Sequence, residues 1–560
     1  MSLPLLAVAV MAILGLGYTF YGSFVARQYS LDPKAQTPSE RHNDGVDFVP
    51  TRPFYLLGQH FSAIAAAGPI AGPILACTMF GWLPAILWIS VGVVFIGAVH
   101  DFSTLIASVR HDGKSIAEVV KANLGPRASL ALMAFIWLAL VYVIVAFTDV
   151  TAATFVSGDA DMKGLTFRFN PGGAVAAASV LYLSLSVVMG LVEKFLKPKL
   201  LLQTLIFVPL TLVCVYAGTR LSTVLILPVR TWGLIILGYC FVASLTPVWA
   251  LLQPRGYLGG FVLYLALAFG IIGMFFGGFD IHQPAFKGLT AMTKNGPVHM
   301  FPFLFVTIAC GACSGFHGLV CSGTTSKQIQ RETHCKQVGY GAMLLEAFVA
   351  LIALATVMIA VDTKGKGPGA IYGSGLGAFV SVVLGKDQLL LATTFGAMAF
   401  STFVFDTLDV STRLGRYILQ EVFGWNGKVG ALVATALTCG VPALFLLNAG
   451  TGSYLKFWTL FGTSNQLLAA LSLLGITVWL KKSGKKYWYT LLPMVFVFVI
   501  TLWALGSQIL TALEHTESTI SVINAVVAGL LVLLAMTLLA YGIKAMRGEP
   551  PLPAPASRAA

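Results

Sequence analysis

The sequence predicts an all-α polytopic membrane protein of about 15 spans, built as a five-plus-five inverted repeat with additional peripheral helices. Three observations carry that prediction. The 560-residue chain is 57% hydrophobic and only 10% charged, with a mean hydropathy of +0.85. Apolar runs of about 20 residues, each long enough to cross a hydrocarbon core, recur from end to end. Two of those runs are interrupted near their middles, one by Gly68-Pro69 and Gly72-Pro73, the other by Ser244-Leu245-Thr246-Pro247.

Taken in order, the expected spans are 3–25, 56–80, 83–107, 128–157, 173–191, 200–218, 232–252, 258–278, 299–324, 339–361, 389–410, 429–448, 457–480, 488–510 and 519–543. The first has no basic residue ahead of it, unlike a signal peptide, and reads as an uncleaved span. Residues 1–547 form one transmembrane domain, and 548–560, rich in Pro and Ala, read as a disordered tail. The Gly-rich connection 362–388 has room for a half-span around Ile371–Leu384, which would change the later topology. Most of the 35 Lys and Arg fall in loops after odd-numbered spans. The positive-inside rule then puts the amino terminus outside and the carboxyl terminus in the cytoplasm.

The stretch Phe61–Ala76, FSAIAAAGPIAGPILA, organises the rest. Each Pro removes a backbone donor and clashes with the preceding turn, so an unbroken helix is not expected. Lipid cannot satisfy the freed groups; protein, a cavity or a ligand must. The span-7 break lies five spans later and runs in the opposite direction, as an inverted repeat requires. Spans 2–6 (56–218) and 7–11 (232–410) are the expected repeats, with span 1 and spans 12–15 peripheral. Gly68, Pro69 and Gly72, with Ser244, Thr246 and Pro247, are the expected substrate contacts, through amides freed at Gly68–Gly72, the start of the half-helix at Pro247 and the Ser244 and Thr246 hydroxyls. The alternative is that the Gly68–Gly72 break only lets the ninth span approach. Trp249 and Gln253 are candidates to stack against the substrate and hydrogen-bond to it, with anchoring at the membrane interface as the alternative.

The ninth span, IACGACSGFHGLVCSGTTSKQI, is dominated by small and hydroxyl residues. Ser314, Ser322, Thr324 and Thr325 are candidates for an oxygen-lined cation or substrate site, with small-residue helix packing as the alternative. Ionisable residues inside spans are expensive and point to function. His317, Asp101 and Glu346 are the proton-coupling candidates; His60 sits one turn before the broken stretch, and Asp149 lies late in span 4. His100, adjacent to Asp101 on a helix, is not expected to be its partner. Asp406 and Asp409 approach the inner end of span 11. Asp409 and Arg413, four residues apart, match a helical ion pair, either a cytoplasmic gate or a simple helix-end pair.

Several function classes are excluded or demoted. The net charge of +13 follows from loop charges rather than nucleic-acid binding. Cys310-x-x-Cys313 has no second pair to complete a zinc site, so no metal is expected. No phosphate loop, nucleotide fingerprint or nucleophile–base set occurs, so no cofactor and no enzymatic activity are expected. Transport must draw on an ion or substrate gradient. The rivals are a channel and a membrane-embedded metalloenzyme with His317, Cys310 and Cys313 as ligands.

The runs HNDGVDFVPT (His42–Thr51), GQHFSAIAAAGPIAGPILA (Gly58–Ala76), GAVHDF (Gly97–Phe102), PVWALLQPRGYL (Pro247–Leu258), CGACSGFHGLVCSGTTSK (Cys310–Lys327), TLDVSTRLGRYILQE (Thr407–Glu421) and LFGTSNQLLAAL (Leu460–Leu471) resemble the carbon starvation protein A family over roughly residues 1–480. The chain departs from the family pattern at Gln59, often a second His, at Ser326, commonly Pro, and at Asp406, often uncharged. The resemblance implies a cytoplasmic-membrane transporter of small nutrients, peptides or pyruvate, under carbon limitation, with a leucine-transporter-like repeat. The expected partners are a small carboxylate-bearing substrate, H⁺ or Na⁺ and membrane lipid, with no nucleic acid.

Overall fold

The computed structural model describes residues 2–44, 47–65, 67–156, 169–293, 296–425, 427–448, 454–514 and 519–548; beyond Gly548 the expected disordered tail lies outside the described residues. In chain order come α1 (Leu3–Tyr29), α2 (Pro53–Ile64), α3 (Gly68–Phe80), α4 (Trp82–Arg110) and the short α5 (Ile116–Leu124). Next are α6 (Pro126–Thr154), α7 (Pro171–Leu196), α8 (Leu200–Arg220), α9 (Val229–Leu245) and α10 (Leu252–Phe276). Their starts follow from local chemistry. Pro begins α2, α6 and α7, where its missing N–H is no loss, and the Asn170 side chain accepts from the Gly173 amide to cap α7.

A two-stranded hairpin, β1 (Thr290–Thr293) and β2 (Gly296–His299), is the one departure from helix among the described elements. Three short helices follow: α11 (Met300–Thr307), α12 (Ala309–Ala312) and α13 (Gly315–Gly323). The chain ends with α14 (Lys336–Met358), α15 (Pro368–Leu384), α16 (Leu389–Phe423), α17 (Gly427–Asn448), α18 (Tyr454–Lys482), α19 (Trp488–Glu514) and α20 (Thr519–Met546).

Among the described residues, 12 helices are long and apolar enough to cross a membrane, and the bent pair α2–α3 makes up to 13. The apolar helices α9 and α15 are shorter, and the segment expected as a ninth span is in three pieces. Helix α15 fills the connection where a half-span had room. The molecule is therefore a multi-pass helical membrane protein.

The first break forms as the prolines dictate. Ala65 leaves the helical region at φ −73° and ψ 55°. The Pro69 ring has no room against the carbonyl of Ala65 in a continuous helix, so α3 starts afresh with Pro69 in its first turn. The axes of α2 and α3 differ by 49°. The second break lies at Ile308 (φ −98°, ψ 30°) and at extended Cys313 and Ser314 (φ −162° and −121°). The two broken helices run antiparallel with their breaks side by side. His60 meets Cys321 and Thr325, Gly68 meets Cys310, and Gly72 meets Thr307 and Ile308.

Two expectations change here. The break that lies against Gly68–Gly72 belongs to the ninth expected span, not the seventh. The bare Cα of Gly68 lies against the Cys310 side chain, and a Cβ on Gly72 would stand 2.5 Å from the Thr307 carbonyl oxygen. These glycines allow the close approach of the ninth expected span, the alternative reading of this stretch. Helix α18, expected at the periphery, is buried at every residue from Leu460 to Leu480, whereas only 22% of the most apolar part of α20 is buried. The cause is visible in Thr463-Ser464-Asn465-Gln466, all buried, which lower the hydropathy of α18 and need protein partners in a bilayer.

Candidate functional site

Broken helices must find partners for the backbone they free, and α18 supplies many of them. Asn465 accepts from the Phe316 amide at 2.9 Å, at the start of α13, and donates to Ser314 Oγ at 3.0 Å. Gln466 donates to the Phe305 carbonyl at 2.9 Å and Trp458 to the Thr307 carbonyl at 3.3 Å. With lipid unable to solvate these groups, the helix holds the second break open.

One turn beyond that break lies a buried ionisable cluster. Asp101 on α4 and Glu346 on α14 are fully buried, and His317 on α13 is 1% exposed. His317 Nδ1 is 2.9 Å from Asp101 Oδ2, and its Nε2 is 3.2 Å from Glu346 Oε2. The latter contact has ion-pair distance without hydrogen-bond alignment, and both Glu346 oxygens otherwise lack a partner. Against expectation, His100 is also a partner: its Nδ1 lies 2.7 Å from Asp101 Oδ1. Neighbours on a helix point in different directions, but the imidazole is long enough to reach back to the shorter carboxylate.

The donor inventory defines what this cluster can do. A neutral imidazole donates once, while an imidazolium donates from both nitrogens. With Asp101 ionised, a proton on His317 leaves Glu346 charged, and the same proton on Glu346 leaves His317 Nε2 free to accept. The cluster can thus hold a proton, pass it between two atoms, or release it, with little movement of its heavy atoms.

A second cluster has a different composition. Arg255 is fully buried at the start of α10, with Nη2 at 2.6 Å from Asp406 Oδ1 and 3.0 Å from Asp409 Oδ2. Tyr239 donates to Asp409 Oδ2 and Tyr182 to the Arg255 carbonyl, both at 2.8 Å. The expected Asp409–Arg413 gate is replaced. Arg413 instead donates to the carbonyls of Ala243 and Thr246, both at 2.8 Å, and so caps the end of α9 where Pro247 stops the helix. Two arginines reach this point, and the unwound carbonyls of α9 compete for one of them.

The remaining expected residues are scattered. Ser244 contacts Thr435 at 3.4 Å, Thr246 bonds back to Val242, Trp249 lies under Lys194, Gln253 is exposed, and Pro247 ends α9. None of these contacts involves Gly68 or its neighbours. Ser322 accepts from the Ile116 amide, Thr324 bonds to Val320, and Thr325 faces His60 at 2.8 Å. These hydroxyls therefore serve separate partners. Cys310 contacts Asn465 rather than His317. Asp149 is buried with Oδ2 unpartnered. A hollow of about 710 Å³, lined by Asp44, Asp112, Lys114, Glu118 and Lys327, reaches Ser322 and Gly323 at the end of α13.

Arg255, Asn465 and Gln466 were not singled out from the sequence. Each carried a signal: a polar or basic residue inside an otherwise apolar run, within the strings PVWALLQPRGYL and LFGTSNQLLAAL.

A family model described as carbon starvation protein CstA matches residues 1–364 and 361–504. The chain is 33% identical over 602 residues to the peptide transporter CstA of Campylobacter jejuni, covering 93% of this chain and 82% of that one. It is 32% identical to the peptide transporter CstA of Bacillus subtilis, covering 97% of each chain. It is 31% identical to the pyruvate/proton symporter BtsT of Escherichia coli, covering 91% and 82%. A manganese transporter of Eremococcus coleocola, solved with an aromatic bis-isothiourea substituted compound, shares the fold at a TM-score of 0.50 and 12% identity, covering 90% of this chain and 98% of that one.

Proposed function

The chain belongs to the carbon starvation protein CstA family, whose members named above are transporters rather than enzymes, and we propose that it is a proton-coupled secondary carrier. Its substrate is a small carboxylate-bearing nutrient, a short peptide or a pyruvate-like acid. The observation that carries the coupling is His317 held between Asp101 and Glu346, all buried, one turn from where two antiparallel broken helices meet. A proton entering that cluster alters the charge beside the break, which is where a substrate carboxylate would feel it most strongly.

In this reading α2–α3 and α11–α13 are the two broken members of an inverted repeat, and α9 and α15 complete the spans. Their dipoles favour a carboxylate at the starts of α3 and α13. The charged hollow ending at Ser322 and Gly323 is the cytoplasmic mouth, with the carboxyl terminus on the same side. Sodium is a weaker candidate than the proton, because the hydroxyls of Ser322, Thr324 and Thr325 serve different partners. The test is uptake into proteoliposomes of pyruvate, lactate, dipeptides and amino acids under imposed H⁺ or Na⁺ gradients. Saturable, counterflow-capable uptake driven by the proton gradient supports the proposal; linear flux favours a channel, and dependence on Na⁺ alone removes the proton.

A further inference from the structure

A second constellation shares Asp101 but involves residues that the proton cluster does not use. His60 comes from α2, Asp101 from α4 and Cys321 from α13, and one ligand-type atom of each lies within 4.8 Å of the others. All three side chains are buried, His60 at 1% and the other two at 0% exposure. His60 Nε2 stands 3.7 Å from Cys321 Sγ. Tetrahedral coordination with bonds of about 2.0–2.3 Å separates ligand atoms by about 3.3–3.8 Å. The His–Cys pair already has that spacing, and the Asp101 carboxylate needs a shift of up to about 1.5 Å to match it.

The surroundings favour a metal over a simple polar contact. His60 Nδ1 lies 2.8 Å from Thr325 Oγ1. In the tautomer that donates there, the Nε2 lone pair faces Cys321, and a partner on the far nitrogen is how metal-bound imidazoles are oriented. Asp101 is held in place by His100 and His317. Its ionised carboxylate still has lone pairs to offer. The hollow reaches Ser322 and Gly323, the residues after Cys321.

We propose that His60, Asp101 and Cys321 form a site for a borderline-soft divalent transition metal of the Zn²⁺ type, with a fourth position open. One imidazole, one thiolate and one carboxylate suit such an ion, whereas Mg²⁺ and Ca²⁺ require oxygen sets. Binding displaces the Cys321 thiol proton to solvent and leaves the metal's oxidation state unchanged. The ion would pin the half-helix α2 to α13 and to α4 on one side of the breaks. This inference does not depend on the transported substrate.

The test is titration of the full-length, metal-stripped protein in detergent with Co²⁺, followed by Zn²⁺ competition. The expected result is one Co²⁺ per chain with a sulfur-to-cobalt charge-transfer band, bleached by Zn²⁺. Cys321→Ser and His60→Gln abolish the band, Cys214→Ser leaves it intact, and Thr325→Val weakens binding by about 10–100-fold. If the first two variants do not fold, X-ray absorption of the wild-type Co²⁺ form decides. One sulfur with nitrogen and oxygen neighbours supports the site, and no sulfur or two sulfurs overturns it. The proposal also fails if no band forms at saturating Co²⁺ or if the band survives in Cys321→Ser.

Discussion

The two buried charge clusters differ in one respect that governs their roles. Around His317, every member is an imidazole or a carboxylate, groups that gain and lose protons. Around Arg255, the cation is a guanidinium, which stays charged, and it holds both aspartates, with Tyr239 adding a hydrogen bond to Asp409. The first cluster consists of groups able to carry a movable charge, beside the meeting point of two broken helices. The second is a fixed charge where α10 begins against α16. Burial alone thus does not identify a coupling site; the capacity to exchange a proton must accompany it.

The largest effect that would break this comparison is expected from Arg255→Met. It strands Asp406 and Asp409, and removing one partner of a buried pair costs about 3–5 kcal/mol. The variant should lose folded yield or melt far below wild type. Adding Asp406→Asn and Asp409→Asn should restore much of the loss, measured by thermal melts in detergent. A full wild-type melt for Arg255→Met alone would show that the cluster is not structural.

A smaller loss follows from Gly72→Ala. Its Cβ would press on the Thr307 carbonyl, and overpacking of this kind costs about 1–3 kcal/mol. The melt should drop and uptake should fall, because the two breaks are pushed apart. Gly68→Leu should abolish uptake through the same mechanism, by displacing Cys310. If either variant transports normally, close approach of the breaks is not required.

Arg413→Met comes next. It removes two hydrogen bonds to the end of α9, and bonds from a charged donor contribute about 1.5–3 kcal/mol before the carbonyls find other partners. Stability should fall moderately while the pH profile of uptake keeps its shape. A changed profile would assign Arg413 to coupling. The smallest effect is expected at Lys121–Glu118, an exposed pair 2.9 Å apart, where Glu118→Gln should shift stability by no more than about 0.5 kcal/mol. A large shift would mean that the hollow's rim carries more load than its exposure suggests.

Much of the helical pattern was legible because it rests on apolar length, and the break at Gly68-Pro69 because Pro and Gly act locally. Asp101, His317 and Glu346 were legible as expensive charges within apolar runs. Their convergence was not, since they lie on three helices separated by more than 200 residues in the case of Asp101 and His317. The break that packs against the first was hard to foresee because Pro247 is conspicuous, whereas the break at Ile308–Ser314 contains only small residues after Ile308. Its freed backbone is bonded by Asn465, Gln466 and Trp458, which lie more than 140 residues further along the chain. Proximity in space also supplied His60 and Cys321, which no spacing rule connects.

The most direct measurement compares wild type with Glu346→Gln in proteoliposomes, following proton-gradient-driven accumulation and equilibrium exchange of the same substrate. Glutamine keeps the shape of Glu346 but cannot hold the proton. The sign follows from inward coupling: acid outside loads the cluster, so wild-type uptake should rise as external pH falls. The account predicts that Glu346→Gln folds and still exchanges substrate, but no longer accumulates it and shows a flat response to external pH. Concentrative uptake in Glu346→Gln with the wild-type pH response would contradict the assignment of the coupling proton to this cluster.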